Sequence, residues 1–391
     1  MPSRRPKPRS RIKLPPLPPG WTGPWVRYGL AALLFAVVTL IVPRWWAGRD
    51  GHRWYEGDLD LVLAHARAVA ADLDASAPAA GEAAFRAATA RALGLLQVCL
   101  AQPAARDEFL PAAERAVEAL LDPRIREFDT QRWGADALAD LDARTPGHAA
   151  ILGPVNLALG LHRRLVPDSR HAALNDTVSA ALARRLAATR HGILERAPGE
   201  AFPEDNAAVL ASLLLHQRVA GANHAAATAP LLARFRLAWR EPRSGLLHPA
   251  VNPETGELLG TTGAGATARA ALLLSYGDRE LSRELYLAVR DRCAGSFLGF
   301  GYIDEFHVGL AGREELEDAS ALPFGVNPAA TAHALAAARL LGERHHFVSL
   351  YRTVHLIGTP ASRGDARSFL VGGAAGNALL LASLTASPDS P

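Results

Sequence analysis

The sequence predicts an all-α protein, an (α/α)6 barrel built from six helical hairpins and preceded by one transmembrane helix. Three observations predict it. Ala, Leu and Arg, all strong helix formers, fill a chain of 391 residues in which aromatics make up only 6%. Apolar residues recur at i, i+3, i+4 and i+7 through almost the whole body. A single uncharged apolar run stands near the amino terminus. An all-β chain would need far more Val, Ile, Thr and aromatics. Two cysteines cannot staple a chain of this size, and 49% hydrophobic with 21% charged residues lies outside the disordered range.

Residues 1–24 read as a disordered basic arm, rich in proline and without an apolar period. Residues 25–46 then read as a transmembrane anchor. Its core YGLAALLFAVVTLIVP carries no charge, Trp25, Trp45 and Trp46 supply interfacial rings, and Arg27 and Arg44 can snorkel. At about 1.5 Å per residue, this length of helix covers a hydrocarbon core of about 30 Å. No small-residue cleavage site follows, which separates the run from a removed signal peptide. Seven cations precede the run and three (Arg44, Arg49, Arg53) follow it closely. The positive-inside bias therefore puts the amino terminus in the cytoplasm, the lipid bilayer around residues 25–46, and residues 47–391 on the periplasmic side of the inner membrane.

Residues 1–46 hold eight cations and no acid, so the body carries 34 cations against 39 acids. A mildly acidic body has no basic face for nucleic acid. Lysine is absent after Lys13, which removes Schiff-base chemistry from the body.

In the body, helical periods cover 57–76, 81–102, 106–121, 147–166, 169–190, 203–220, 225–240, 262–275, 278–293, 327–342, 344–356 and 372–386. Twelve helices in pairs suit the barrel, with an irregular bundle as the alternative. No sequence period of solenoid length is visible. Asp168–Ser169, Pro203 and Asn327–Pro328 read as helix starts. The apolar segment 370–386 is short, carries paired glycines and Asn377, and reads as a buried final helix. Cys99 and Cys293 read as small buried hydrophobes more readily than as a disulfide.

Three loop-to-helix regions hold more polar residues than folding requires. Residues 127–150 supply Asp129, Trp133 and His148, an imidazole placed at a helix start and suited to proton transfer. Residues 192–213 supply Glu195, Asp205 and Asn206. Acids there cap a helix and also face the barrel mouth if that helix is an inner one. Residues 299–320 supply Tyr302, Glu305 and His307, with Glu305 and His307 on one side of an extended stretch. The catalytic candidates are His148, Asp205 and Glu305. The substrate-binding candidates are Asp129, Trp133, Glu195, Asn206, Tyr302 and His307. The acids at 314–318 read as a solvated surface. HExxH, CxxC, a P-loop and GxSxG are all absent, GAGATA at 263–268 lacks a preceding strand, and no residue spacing calls for a metal or cofactor.

The order RWGADAL, GHAAILGPVNLALGLHR, PGEAFPEDNAAVLASL and GLLHPAVNPETG resembles the linalool dehydratase/isomerase-type (α/α)6 barrel and its uncharacterised membrane-anchored bacterial relatives, over about residues 120–340. The resemblance implies an acid–base enzyme of hydro-lyase or isomerase type working on a neutral hydroxylated small molecule, with His148 and the acids at 195–205 in its site. Six-hairpin glycosidases share the barrel and use two carboxylates, which Asp205 and Glu305 supply. Few tryptophans lie beyond the anchor, which leaves little aromatic platform for a long polysaccharide. A third expectation is a non-catalytic envelope protein that kept the barrel alone. The sequence leaves the oligomeric state open.

Overall fold

The computed structural model describes residues 24–75, 80–143, 145–306 and 326–386. The chain divides into two units, Met1–Trp46 and Ala47–Pro391. Helix α1 (Pro24–Ala36), a π-helical turn (Val37–Ile41) and α2 (Val42–Glu56) form one run of 33 residues, long and apolar enough to cross a membrane. In α1 no residue is buried, and Trp25, Leu33, Leu34 and Phe35 are exposed.

In the second unit, six helices close into a ring. These are α4 (Glu82–Ala101), α7 (Ala149–Leu165), α9 (Pro203–Ala220), α11 (Ala264–Leu274), α13 (Pro328–Leu340) and α15 (Gly373–Thr385). Each packs on the next, and α15 packs back on α4. Six further helices back them. α5 (Arg106–Leu121) lies on α4, α8 (Ala172–Ala188) on α7, α10 (Ala225–Ala233) on α9, α12 (Arg279–Cys293) on α11, α14 (Arg344–Gly358) on α13, and α3 (Leu59–Ala75) on α15. The architecture is the (α/α)6 barrel, and the first outer helix closes it against the last inner one. The expected final buried helix is α15, the sixth inner helix.

The difference between the rings is legible in their residues. Outer helix α12 buries Leu281, Leu285, Tyr286 and Val289 on one stripe and turns its charges outward. Inner helix α9 buries residues on all sides, from Pro203 to His216, because neighbours and the bore surround it. Inner helices touch where they are small. A Cβ on Gly153 would lie 2.8 Å from the Val209 amide nitrogen, and one on Gly94 would lie 2.9 Å from that of Ala382.

Sequence periodicity missed three features. Short helix α6 (Glu127–Trp133) precedes α7. Helix α2 continues past the apolar run to Glu56. Small strands fill the connections from outer to inner helices: β1 (Glu195–Ala197), β2 (Glu200–Ala201), β3 (Ala250–Val251) and β4 (Leu258–Leu259) form one antiparallel sheet, while β5 (Ala294–Phe297) with β6 (Phe300–Ile303) and β7 (Pro360–Arg363) with β8 (Ala366–Phe369) form hairpins. Strands of two to four residues are too short to show alternation.

Each of the last four inner helices is tied to the segment before it by one polar side chain a turn inside its start. Asn206, Thr267, Thr331 and Asn377 accept from the buried amides of Leu194, Leu247, Ile303 and Phe369 at 2.9, 3.0, 3.1 and 2.8 Å. Each also donates to the carbonyl four residues back in its own helix. Asn327 caps α13 as expected, accepting from Ala330. Ser169 instead accepts from the His171 amide and the His162 ring, just outside α8.

Ring closure at glycine yields a test. Gly153→Ala and Gly94→Ala push a methyl into neighbouring backbone, which has no rotamer to yield, and each should cost about 1–3 kcal/mol. Chemical denaturation of both variants measures it, and an unchanged midpoint would contradict this account of the packing.

Candidate active site

An outer helix precedes every inner helix and returns the chain, so all six inner helices point the same way and their amino termini gather at one mouth. The positive dipole ends and free amides there attract carboxylates. Glu82 stands in the first turn of α4 and Glu204 and Asp205 in the first turn of α9. Glu305 accepts from the Gly265 amide at the start of α11 and from the Asn327 side chain that caps α13.

Arginines knit these acids together. Arg196, on β1, donates to Asp205 at 2.6 Å and to Glu204 at 2.8 Å. Arg269, on α11, donates to Glu204 at 2.8 Å and to Asp205 at 3.2 Å. Arg86 lies 3.6 Å from Glu204 and bonds Glu82 at 2.8 Å, and Arg132 joins Glu82 at 3.1 Å. Burial alone would raise the pKa of Glu204, but Arg269, Arg196 and Arg86 outweigh it and hold the group at about 2. Glu305 moves the other way. Burial, helped by the fields of Glu204 and Asp304, raises its pKa against the bonds from Asn327 and Gly265.

Beside the lattice runs the bore, a cavity of about 350 Å³ whose walls include Arg86, Arg269, His333, Tyr276, Leu273 and Leu379. His333 is kept neutral, its pKa pulled down to about 3 by burial and by Arg269 and Arg86. The GAGATA segment, unfit for a dinucleotide, makes room for Glu305: a Cβ on Gly263 would lie 2.4 Å from Glu305 Oε1.

The three catalytic candidates do not share one constellation. Asp205 belongs to the arginine lattice, and Glu305 lies within the field of that lattice through Glu204. His148, read from sequence as a helix-start residue, stands at the start of α7 wholly buried and bonded to Asp129 rather than to the lattice. It precedes α7 in a left-handed conformation, φ 67°. Its Nδ1 donates to Asp129 Oδ2 at 2.6 Å, Trp133 lies against its ring, and Gly147 packs under Trp133. Trp133 Nε1, donating to the Arg196 carbonyl, and the Glu195 amide, donating to the Pro146 carbonyl, link this group to the lattice.

Other candidates have local partners. Asn206 was expected to face the mouth, but its amide is consumed by the Leu194 and Phe202 backbone. Glu195 accepts from the Gly199 amide within its own hairpin. Tyr302 lays its ring across Gly295 on the paired strand. His307 and the acids at 314–318 lie outside the described residues. Cys99 and Cys293 are free and buried, and burial pushes both thiols up to about 12, so neither is a ready nucleophile.

The residues that sequence reasoning passed over are Glu82, Arg86, Arg196, Arg269 and His333; Glu204 was seen only as one of the acids at 195–205. A signal existed for two of them: Arg269 is the one charge in AGATARAALLL, and His333 the one ring in PAATAHALAAARL. A long polar side chain inside an apolar helix needs a partner.

No known family profile and no curated protein matches the chain. Among solved structures it is similar to a GH76 alpha-mannanase of Bacteroides thetaiotaomicron, at 9% identity and a TM-score of 0.47, over 77% of this chain and 86% of that one. It is also similar to an inactive variant of the alpha-1,6-mannanase GH76A of Salegentibacter sp. HEL1_6 in complex with alpha-1,6-mannotetrose, at 12% identity and a TM-score of 0.47, over 77% and 88%.

Two outcomes are expected. Arg269→Met leaves Glu204 and Asp205 short of a counter-charge in a largely buried place and should cost about 3–5 kcal/mol in denaturant titration. Stability should also fall on acidification. His333 at about 3 and His65 and His346 at about 4 are neutral in the fold but protonate below about 6.5 when unfolded. Below about 4.5 the depressed pKa of Glu204 adds a loss of the same sign. Melting temperature measured from pH 7 to pH 4 should decline, and His333→Gln should make the decline shallower.

Proposed function

We propose that the protein is a membrane-anchored, glycosidase-like acid–base enzyme that cleaves a glycosidic bond in a hydroxylated substrate entering the bore. One observation carries the reading: two carboxyl groups of the same mouth have environments that move them in opposite directions, Glu305 upward and Glu204 down to about 2. A pair separated in this way supplies an acid and an ionised carboxylate at one pH. Glu305, the carboxyl whose pKa is raised, donates a proton to the departing oxygen. Glu204, ionised and touching the two arginines that line the bore, stabilises positive charge on the sugar ring or draws a proton from water. Asp205 keeps Arg196 and Arg269 in place from the buried side. The anchor is residues 25–46, within the helix run from Pro24 to Glu56, and the barrel domain stands outside the cytoplasm.

Glu305→Gln should lower kcat on a cleavable oligosaccharide by at least about 100-fold while leaving the protein folded. It should also remove the alkaline limb of the pH profile, which Glu305 sets. Unchanged turnover in Glu305→Gln would remove Glu305 as the acid, and absence of turnover by the parent chain would leave the barrel as a binding or scaffold protein. For the anchor, alkaline phosphatase fused to the carboxyl terminus should be active in intact cells, and activity only from a fusion that reports cytoplasmic location would reverse the orientation.

A further inference from the structure

Among the described residues of the unit Ala47–Pro391, ten large apolar side chains are exposed, and six of them sit on three adjacent turns. Phe297 and Leu298 form the tip of the β5–β6 hairpin, Leu356 and Ile357 lie in the last turn of α14, and Leu370 and Val371 follow β8. These turns touch. The Leu370 and Val371 amides donate to the Thr359 and Gly358 carbonyls at 3.2 and 3.1 Å, and Arg352 on α14 donates to the Gly299 carbonyl at 3.1 Å. The chain enters the unit beside the same turns. A Cβ on Gly48 would lie 3.0 Å from the Arg352 guanidinium, and Asp50 pairs with Arg367 on β8 and lies 3.8 Å from His355.

Beneath this patch lies a second cavity, about 320 Å³, between α13, α14 and α15. Ala332, Val354, Ile357, Val371, Leu379 and Leu380 line it. Its two hydroxyls are already used: Thr331 donates to the Asn327 carbonyl and Thr353 to that of Gly301. Among the described residues, its wall side chains otherwise carry no polar atom, so its chemistry fits a hydrocarbon chain. It shares Ala329, Gly376 and Leu379 with the bore.

We propose that these three turns dock on the bilayer surface and that the groove beneath them takes the acyl chain of a membrane phospholipid. The inference rests on the membrane-anchor reading. The occupant follows from where the patch lies: it stands beside Gly48 and Asp50, where the chain enters the unit, and these residues belong to a helix run long and apolar enough to cross a membrane. A large exposed apolar patch in that place meets hydrocarbon without a protein partner. The bore, which shares walls with the groove, then opens at the headgroup layer, and a substrate carried on a lipid reaches it without leaving the membrane.

The test uses the full chain in nanodiscs of phosphatidylcholine and phosphatidylglycerol. Bimane is attached at Leu356→Cys, at Leu370→Cys and, as a control, at Asn223→Cys in the exposed α9–α10 connection, at the opposite end of the inner helices. Nitroxide-labelled lipids should quench the first two several-fold more than the control, and equal quenching at all three would overturn the docking. A phosphatidylcholine with a photoreactive acyl chain should label peptides spanning 326–332, 354–358 and 371–380. Labelling confined to residues 24–46 would overturn the groove's occupant. Carbonate extraction reads the anchor separately: a chain released from the bilayer fails the anchor reading, whereas a retained chain with unquenched probes fails only this proposal.

Discussion

Six helices can share one axis only if their backbones come close, and that requirement governs most of what the body does. Close approach needs small residues at the contacts, and the inner helices supply them: Gly94 at α15, Gly153 and Gly160 at α9. The alanine-rich composition follows from the same need, since alanine favours helix and takes little room. The alternation of outer and inner helices makes all six inner helices run in one direction, so their positive ends converge. A mouth of that kind draws carboxylates, and carboxylates packed together need counter-charges. The arginine lattice is therefore a consequence of the ring as much as a feature of the site.

The ring alone would not hold its connections in place. The tie made by Asn206, Thr267, Thr331 and Asn377 does so, and it holds the segments that bring Arg196 and Glu305 to the mouth. Arg196 stands two residues after Leu194, whose amide Asn206 binds, and Glu305 two after Ile303, whose amide Thr331 binds. One hydrogen bond per module thus converts helix position into the position of a charged side chain. In sequence the four tying residues are unequally spaced and of two kinds, Asn and Thr. This structural repeat therefore leaves no period of the sort that reveals a solenoid.

The legibility of the sequence divides along this line. Helices announce themselves because their period extends over many turns: α9 and α5 begin and end where the pattern places them, and α15 is recognisable as buried despite looking like a second span. The site was readable only as regions. Acids at the start of α9 are visible in PEDN, but whether Asp205 or Asn206 faces the bore depends on which backbone groups lie opposite. Those groups belong to a hairpin whose strands are too short to detect. His148 shows the same limit, since its burial against Asp129 and Trp133 comes from α6, a helix of seven residues. Arg269 and His333 were readable in principle, as single polar residues in apolar helices. Their partner, Glu204, is distant in sequence and close only after the ring has shut.

The choice of cation in the lattice has its own physical reason. After Lys13 the chain uses arginine alone. Arg196 and Arg269 each reach both Glu204 and Asp205, bridging two carboxylates on consecutive residues. A planar guanidinium offers several donors in fixed directions and is weakly hydrated, so it can satisfy two acids at once in a partly buried place. An ammonium group is a compact, strongly hydrated point charge that loses its proton more readily on burial. With arginine the counter-charge persists at every pH the fold survives, and the low pKa of Glu204 is kept. Glu305 is bonded instead to a neutral amide and a backbone N–H, and burial moves its pKa upward. The contrast between the two carboxyl groups is thus written in their partners: guanidinium for one, amide for the other.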